Sequence, residues 1–124
     1  MVTRNESESK EHKDLVGMMA GYFKQQGYSN VKADLEGWDT PQEINQHVPD
    51  VTAVRNGVSI ILEAETCESI DTADTKEQLK AFYEATKTGT REFHLVVPKR
   101  CKTNARLKLL EWNITASEIW SPKE

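Results

Sequence analysis

Residues 47–66 read HVPDVTAVRNGVSIILEAET, two apolar-rich segments on either side of Asn56-Gly57. Asn-Gly between two such segments is a strong signal for a β-hairpin with a two-residue turn. We therefore predict strands at 47–55 and 58–66. If the turn carries no bulge, opposed residues have numbers that sum to 113, which places Asp50 directly opposite Glu63.

This register gathers three carboxylates. Opposed residues point to the same face with Cβ atoms about 5 Å apart, and Glu65, two residues after Glu63, shares that face. Two like charges at that distance repel by about 3 kcal/mol at an effective dielectric constant near 20. A divalent cation would remove the repulsion, which predicts a Mg²⁺ site. Alternatively, the acids stay apart as solvated side chains, or Arg55 and the flanking lysines neutralise them.

The remaining periodicities predict one α/β domain with the element order αβββαβαβ. We expect a flexible tail at 1–8 and a single domain at 9–124. The expected helices are 9–26, 74–86 and 104–112, and the other expected strands are 31–35, 93–97 and 114–120, with a loop at 37–46.

Composition narrows the class of protein. A chain of 124 residues that is 37% hydrophobic suits one core, and no apolar run is long enough to cross a bilayer. The polar N-terminus predicts no signal peptide. Cys67 and Cys101 form no CxxC motif and predict no disulfide framework, which suits a reducing cytoplasm. The absence of GxxxxGK[ST] and GxGxxG predicts no nucleotide cofactor.

Charge is unevenly distributed around a net value of −4. Residues 34–74 contain ten acids and one base, a charge of −9, whereas residues 87–108 contain seven bases and one acid, a charge of +6. An acidic centre beside a basic flank suits an enzyme that handles phosphates through bound cations, although solvated surfaces also vary in this way. Lys99, Arg100 and Lys102 form a candidate phosphate-contacting patch for a DNA substrate.

These motifs resemble the PD-(D/E)xK nuclease superfamily, whose members share an αβββαβ core. Pro49-Asp50 matches the PD element and Glu63 the acid of the triplet, which here is Glu63-Ala64-Glu65. The resemblance implies a restriction-endonuclease-like mixed sheet flanked by helices, with an extra C-terminal helix and strand. It also implies that Asp50 and Glu63 bind Mg²⁺ or Mn²⁺, with Glu65 at the position of the catalytic lysine.

The resemblance extends to the helices. Many members carry a glutamate in the first helix that extends the metal site, and Glu11 fits this role best, with Asp14 as the second choice. In RecB-type members a glutamine and then a tyrosine follow the catalytic strand, and Gln78 is similar to that glutamine. Lys76 or Lys80 could replace the missing lysine, and we favour Lys76, which lies closer to the start of its helix.

The resulting hypothesis is a Mg²⁺-dependent DNA endonuclease that acts as a homodimer on branched or duplex DNA. The alternative is a nuclease fold that has lost catalysis and binds nucleic acid or protein, which Glu65 in place of lysine and the net negative charge both favour. A third possibility is a different hairpin register in an unrelated α/β domain.

Overall fold

A computed structural model describes residues 6–123, so residues 1–5 and 124 lie outside the described part. The helices are α1 (Glu6–Gln25), α2 (Ala73–Ala85) and α3 (Lys102–Glu111). The strands are β1 (Ser29–Ala33), β2 (Val51–Arg55), β3 (Val58–Ala64), β4 (Arg91–Val96) and β5 (Glu118–Trp120). The predicted α/β class and element order are confirmed. Of the tail predicted at 1–8, residues 1–5 lie outside the described part and residues 6–8 belong to α1.

The five strands form one mixed sheet in the order β1-β2-β3-β4-β5. Strands β1, β2 and β3 are antiparallel neighbours, whereas β4 and β5 run parallel to β3. Val51 pairs with Leu62 and Arg55 with Val58, so every pair sums to 113 and the predicted register is confirmed. Asn56 and Gly57 both have positive φ, as a type I′ turn requires.

Helices cover both faces of the sheet. Alternate residues of β3 point to opposite faces, so that Ile60 and Leu62 pack with α1 whereas Ile61 packs with α2 and α3. In α1, the buried positions recur every three or four residues and include Val16 and Phe23. No helix among residues 6–123 combines the length and the hydropathy that a transmembrane span requires.

Helix ends explain two boundaries that the sequence placed differently. After α1, Gly27 takes φ +85° and Tyr28 N–H donates to the Phe23 carbonyl, which closes the helix and lets β1 start at Ser29. After α3, Asn113 takes φ +57° and Ile114 N–H donates to the Leu109 carbonyl. The closure of α3 therefore includes Ile114, which the sequence predicted as the first residue of the last strand. Strand β5 starts later and covers only Glu118–Trp120.

The two cysteines are paired in a disulfide, Cys67–Cys101, which corrects the expectation that they remain unpaired. The cause is topological, because Cys67 follows β3, Cys101 follows β4, and these neighbouring strands run parallel. Both residues therefore follow the carboxyl ends of two adjacent strands, and their Cα atoms lie 5.6 Å apart. The expectation of a reducing compartment depended on unpaired cysteines, and the disulfide removes that support.

We predict that reduction of this disulfide lowers the free energy of unfolding by about 4 kcal/mol, the loop-entropy value for a separation of 34 residues. Urea denaturation with and without a thiol reductant measures the change. The Cys67→Ser/Cys101→Ser double variant should be indifferent to the reductant. Two titratable thiols in the non-reduced native protein would contradict the prediction.

Candidate active site

Asp50 and Glu63 are joined at the open end of the β2–β3 hairpin. Asp50 N–H donates to Glu63 Oε1 at 2.7 Å, and Ala64 N–H donates to Asp50 Oδ2 at 2.8 Å. The two side chains thus accept hydrogen bonds from backbone N–H groups one residue beyond the last pair of the β-ladder, Val51 and Leu62. Both carboxyl groups are buried. The predicted apposition of the two acids is therefore present.

Burial and neighbouring charge make the ionised form of Glu63 costly. Desolvation raises the pKa of Glu63 well above its ordinary 4.5, and the charges of Asp50 and Glu65 raise it further. The hydrogen bond from Asp50 N–H acts in the opposite direction and is outweighed. Such a pKa follows when a carboxyl group lies out of water beside like charges. The pair of acids therefore favours either a shared proton or a bound cation.

Glu65 lies deeper than the other two acids, with 1% of its surface exposed. Its Oε1 accepts hydrogen bonds from the Ser69 hydroxyl at 2.6 Å and from the Thr75 hydroxyl at 3.1 Å. Ser69 belongs to the 3-10 turn after β3, and Thr75 belongs to the first turn of α2. Two neutral hydroxyl donors thus hold one oxygen of the Glu65 carboxylate.

The turn that carries Ser69 is fixed by a reciprocal pair of hydrogen bonds. Thr66 N–H donates to Ser69 Oγ at 2.9 Å, and Ser69 N–H donates to Thr66 Oγ1 at 3.1 Å. The Thr66 hydroxyl also donates to Glu8 Oε1 at 3.0 Å, which connects the turn to α1. These bonds resemble a capping box, in which two side chains satisfy each other's backbone N–H groups. Sequence reasoning missed Ser69, Thr75 and Glu8.

His12 is a further site residue that sequence reasoning missed. Its Nε2 lies 3.2 Å from Asp50 Oδ2, within hydrogen-bond distance, and its side chain is 15% exposed. His12 and Glu8 are four residues apart on α1, and they continue the buried stripe of Leu15 and Met19 toward the N-terminus. The two residues lie three and seven positions before Leu15, which are helical spacings, so extending the buried stripe toward the N-terminus would have predicted them.

Glu11, the predicted ligand from the first helix, lies beside Arg100. Its two carboxylate oxygens accept hydrogen bonds from Arg100 Nη2 at 2.8 and 3.1 Å. Asp14, the second choice, pairs with Lys10 on the exposed side of α1. The α1 side chains that reach the hairpin end are Glu8, which binds Thr66 after β3, and His12, which contacts Asp50 before β2.

The other predicted residues lie around the three acids rather than among them. Lys76 and Lys80 are exposed on α2, and Thr75 is the residue of that helix that contacts Glu65. Gln78 is half-buried. Lys99 and Arg100 are exposed on the 3-10 turn before α3, and Lys102 is half-buried at the start of α3.

The donor chemistry at this site fits a hard divalent cation, since carboxylate oxygens are the ligands that Mg²⁺ prefers. Within residues 6–123, however, no three His, Cys, Asp or Glu side chains are already arranged to hold a metal ion. Asp50 and Glu65 instead accept hydrogen bonds from a backbone N–H and from hydroxyl groups. A cation would have to replace these donors or the proton on Glu63.

Comparison of the chain with protein-family models, with curated proteins and with solved structures yields no match.

We predict that Glu63→Gln raises the melting temperature at about pH 8 and leaves it unchanged at about pH 4. Because the folded-state pKa of Glu63 is raised, the contribution of this group to the stability of the wild type is complete below the unfolded-state pKa and is lost as pH rises through the folded-state value. Glutamine keeps the acceptor for Asp50 N–H and does not ionise.

Calorimetric or circular-dichroism melts across this pH range measure the difference. Glu77→Gln, an exposed residue of α2, is the matched control and should show no pH-dependent gain. A difference between Glu63→Gln and wild type that is constant with pH would contradict the assigned cause.

Proposed function

We propose that this protein is a Mg²⁺-dependent nuclease that hydrolyses phosphodiester bonds in DNA. The observation that carries the proposal is the buried Asp50–Glu63 pair, in which the pKa of Glu63 is raised by burial and by its acidic neighbours. Perturbed carboxyl groups that converge from two strands are typical of functional sites. The αβββαβ element order also supports the resemblance to the PD-(D/E)xK nucleases.

Asp50 and Glu63 would hold the cation, which supplies electrostatic stabilisation of the negative charge that develops on the phosphoryl group. His12 orients the Asp50 carboxylate through the contact at 3.2 Å. Ser69 and Thr75 hold Glu65 in one rotamer, as outer hydrogen bonds commonly do around metal sites. The side chains of the chain thus fix the positions of the acids before substrate arrives.

A shallow groove beside His12 supplies a path for a nucleic-acid strand. Lys13 and Trp38 line it together with Asp34 and Glu36. Gln78, Lys99 and Lys102 would contribute contacts to the phosphate backbone. Arg100 is engaged with Glu11, so its role would be to fix α1 over the turn after β4.

A second candidate function is that of an inactive nuclease fold that binds nucleic acid or protein. The observation that favours it is the environment of Glu65. The superfamily uses a lysine at this position to orient or activate water, whereas Glu65 is fully buried and accepts hydrogen bonds from two hydroxyl groups. Such an acid supports the turn at Ser69 structurally and supplies no ammonium group.

We predict metal-dependent cleavage of single-stranded, duplex or four-way-junction DNA that Asp50→Asn reduces at least about 100-fold. The reason is that loss of metal-based stabilisation removes several kcal/mol from transition-state binding. Asp39→Asn, an exposed residue between β1 and β2, is the matched control and should retain wild-type cleavage.

Titration calorimetry with Mg²⁺ and Mn²⁺ should show binding to wild type and to Asp39→Asn that Asp50→Asn loses. Cation binding without cleavage of any of the three DNA forms would reject the nuclease. DNA binding that survives Asp50→Asn under those conditions would establish the inactive binding module.

A further inference from the structure

A polar cleft of about 390 Å³ lies over strands β1 to β4, and none of the three acids lines it. Its floor is the face of the sheet on which Thr52 lies opposite Ile61, the face that packs with α2 and α3. Residues 42–45 form one wall, and Asn45 connects this wall to α2 by donating to the Ala81 carbonyl at 2.9 Å. A volume of this size is within the range of small-ligand sites in proteins.

Cross-strand pairing brings polar side chains from four strands onto the floor of the cleft. Lys32 on β1 pairs with Thr52 on β2. In the next row, Ser59 on β3 pairs with Val54 on β2 and with Arg91 on β4. Because paired residues point to the same face, each of the two rows places a basic side chain beside a hydroxyl group.

The helices leave this part of the sheet uncovered. Ile61 and Phe93 lie farther along β3 and β4 on the same face, and each is 1% exposed within the core. Lys32, Thr52 and Ser59 are half-buried instead. A sheet face that packs against a helix is apolar, whereas the inner strands β2 and β3 here carry hydroxyl groups. This part of the face is therefore suited to polar contacts rather than to packing.

The donors on the floor are available to a ligand. In the described part of the chain, the side chains of Lys32, Thr52 and Ser59 take part in no ion pair or hydrogen bond with another residue. Arg91 Nη1 donates one long bond to the Ala85 carbonyl at 3.4 Å, which leaves the other N–H groups of the guanidinium group. Donors of this kind are satisfied most strongly by an acceptor that carries negative charge.

We propose that this cleft, which we call the Lys32 cleft, binds a ligand that carries a phosphate group. Lys32 supplies charge and Thr52 donates a hydrogen bond, while Arg91 and Ser59 provide a second pair of the same kind in the next row. Lysine, arginine and hydroxyl side chains are the groups that commonly bind phosphate oxygens. Glu43 is the one acid among the residues that line the cleft, so bases outnumber acids there, in contrast to the site at the open end of the hairpin.

The same phosphate chemistry occurs in phosphorylated small molecules and in the backbone of a nucleic-acid strand. The side-chain amides of Asn30 and Gln42 also line the Lys32 cleft and offer both donors and acceptors to the remainder of either ligand. The proposal does not depend on the nuclease function, because it requires neither a cation nor any of the three acids.

Titration with inorganic phosphate, followed by two-dimensional ¹H–¹⁵N NMR spectra, tests for the site. The backbone amide signals of Thr52 and Ser59 should shift until they saturate. Lys32→Met should weaken binding at least about tenfold, because methionine retains an unbranched side chain and removes the charge. Thr52→Val should weaken binding several-fold through loss of one hydrogen bond. Lys123→Met, an exposed lysine after β5 at the opposite edge of the sheet, is the matched control and should bind phosphate as the wild type does.

Competition for the phosphate-saturated protein distinguishes the two sources. Glycerol 3-phosphate represents a small phosphate monoester, and a short oligothymidylate represents a nucleic-acid strand. The compound that displaces phosphate at the lower concentration identifies the source. The same spectra establish that each variant is folded. Signals of Thr52 and Ser59 that do not respond to phosphate, or equal phosphate affinity in the wild type and Lys32→Met, would overturn the proposal.

Discussion

The geometry of the acidic site depends on two hydrogen bonds from backbone N–H groups to carboxylates at the open end of the β2–β3 hairpin. Asp50 N–H binds Glu63 Oε1, and Ala64 N–H binds Asp50 Oδ2. Each carboxylate thus gains a backbone N–H donor that partly offsets the loss of water and restrains its side chain. The β-ladder continues through side chains where Pro49 cannot donate a backbone proton. The cost of burying two like charges remains, and it appears as the raised pKa of Glu63.

Neutral side chains also supply hydrogen bonds to two further acids. Hydroxyl groups from Ser69 and Thr75 bind Glu65, and Thr66 binds Glu8. The basic side chains are engaged farther out, where Arg100 meets Glu11 and Lys108 lies 3.7 Å from Asp71. These hydroxyl groups contribute donors to the acids without adding a charge of their own.

The hairpin and its acids were predictable because Asn56-Gly57 is a local signal, and a two-residue turn determines the register of everything beside it. The hydrogen-bond partners of Glu65 were not predictable. Ser69 and Thr75 reach Glu65 only because the turn before α2 folds back toward the end of β3. Glu11 lies four residues before Leu15, but three and seven residues are helical spacings as well, and the residues at those positions, His12 and Glu8, are the ones that contact Asp50 and Thr66. The disulfide follows from the parallel β3–β4 pairing, which no pattern near Cys67 or Cys101 reveals.

The two-residue turn at Asn56-Gly57 makes the site more sensitive to an insertion or deletion at the turn than to conservative replacements in the strands. Conservative replacements within β2 or β3 leave the pairing sum of 113 intact, whereas one inserted or deleted residue in the turn shifts the register by one. The side chain opposite Asp50 would then be Leu62 or Ala64, from the other face of the strand, and Glu63 would be displaced from it. A single in-frame codon insertion or deletion at the turn would therefore abolish the site, although every one of its acidic residues would still be encoded.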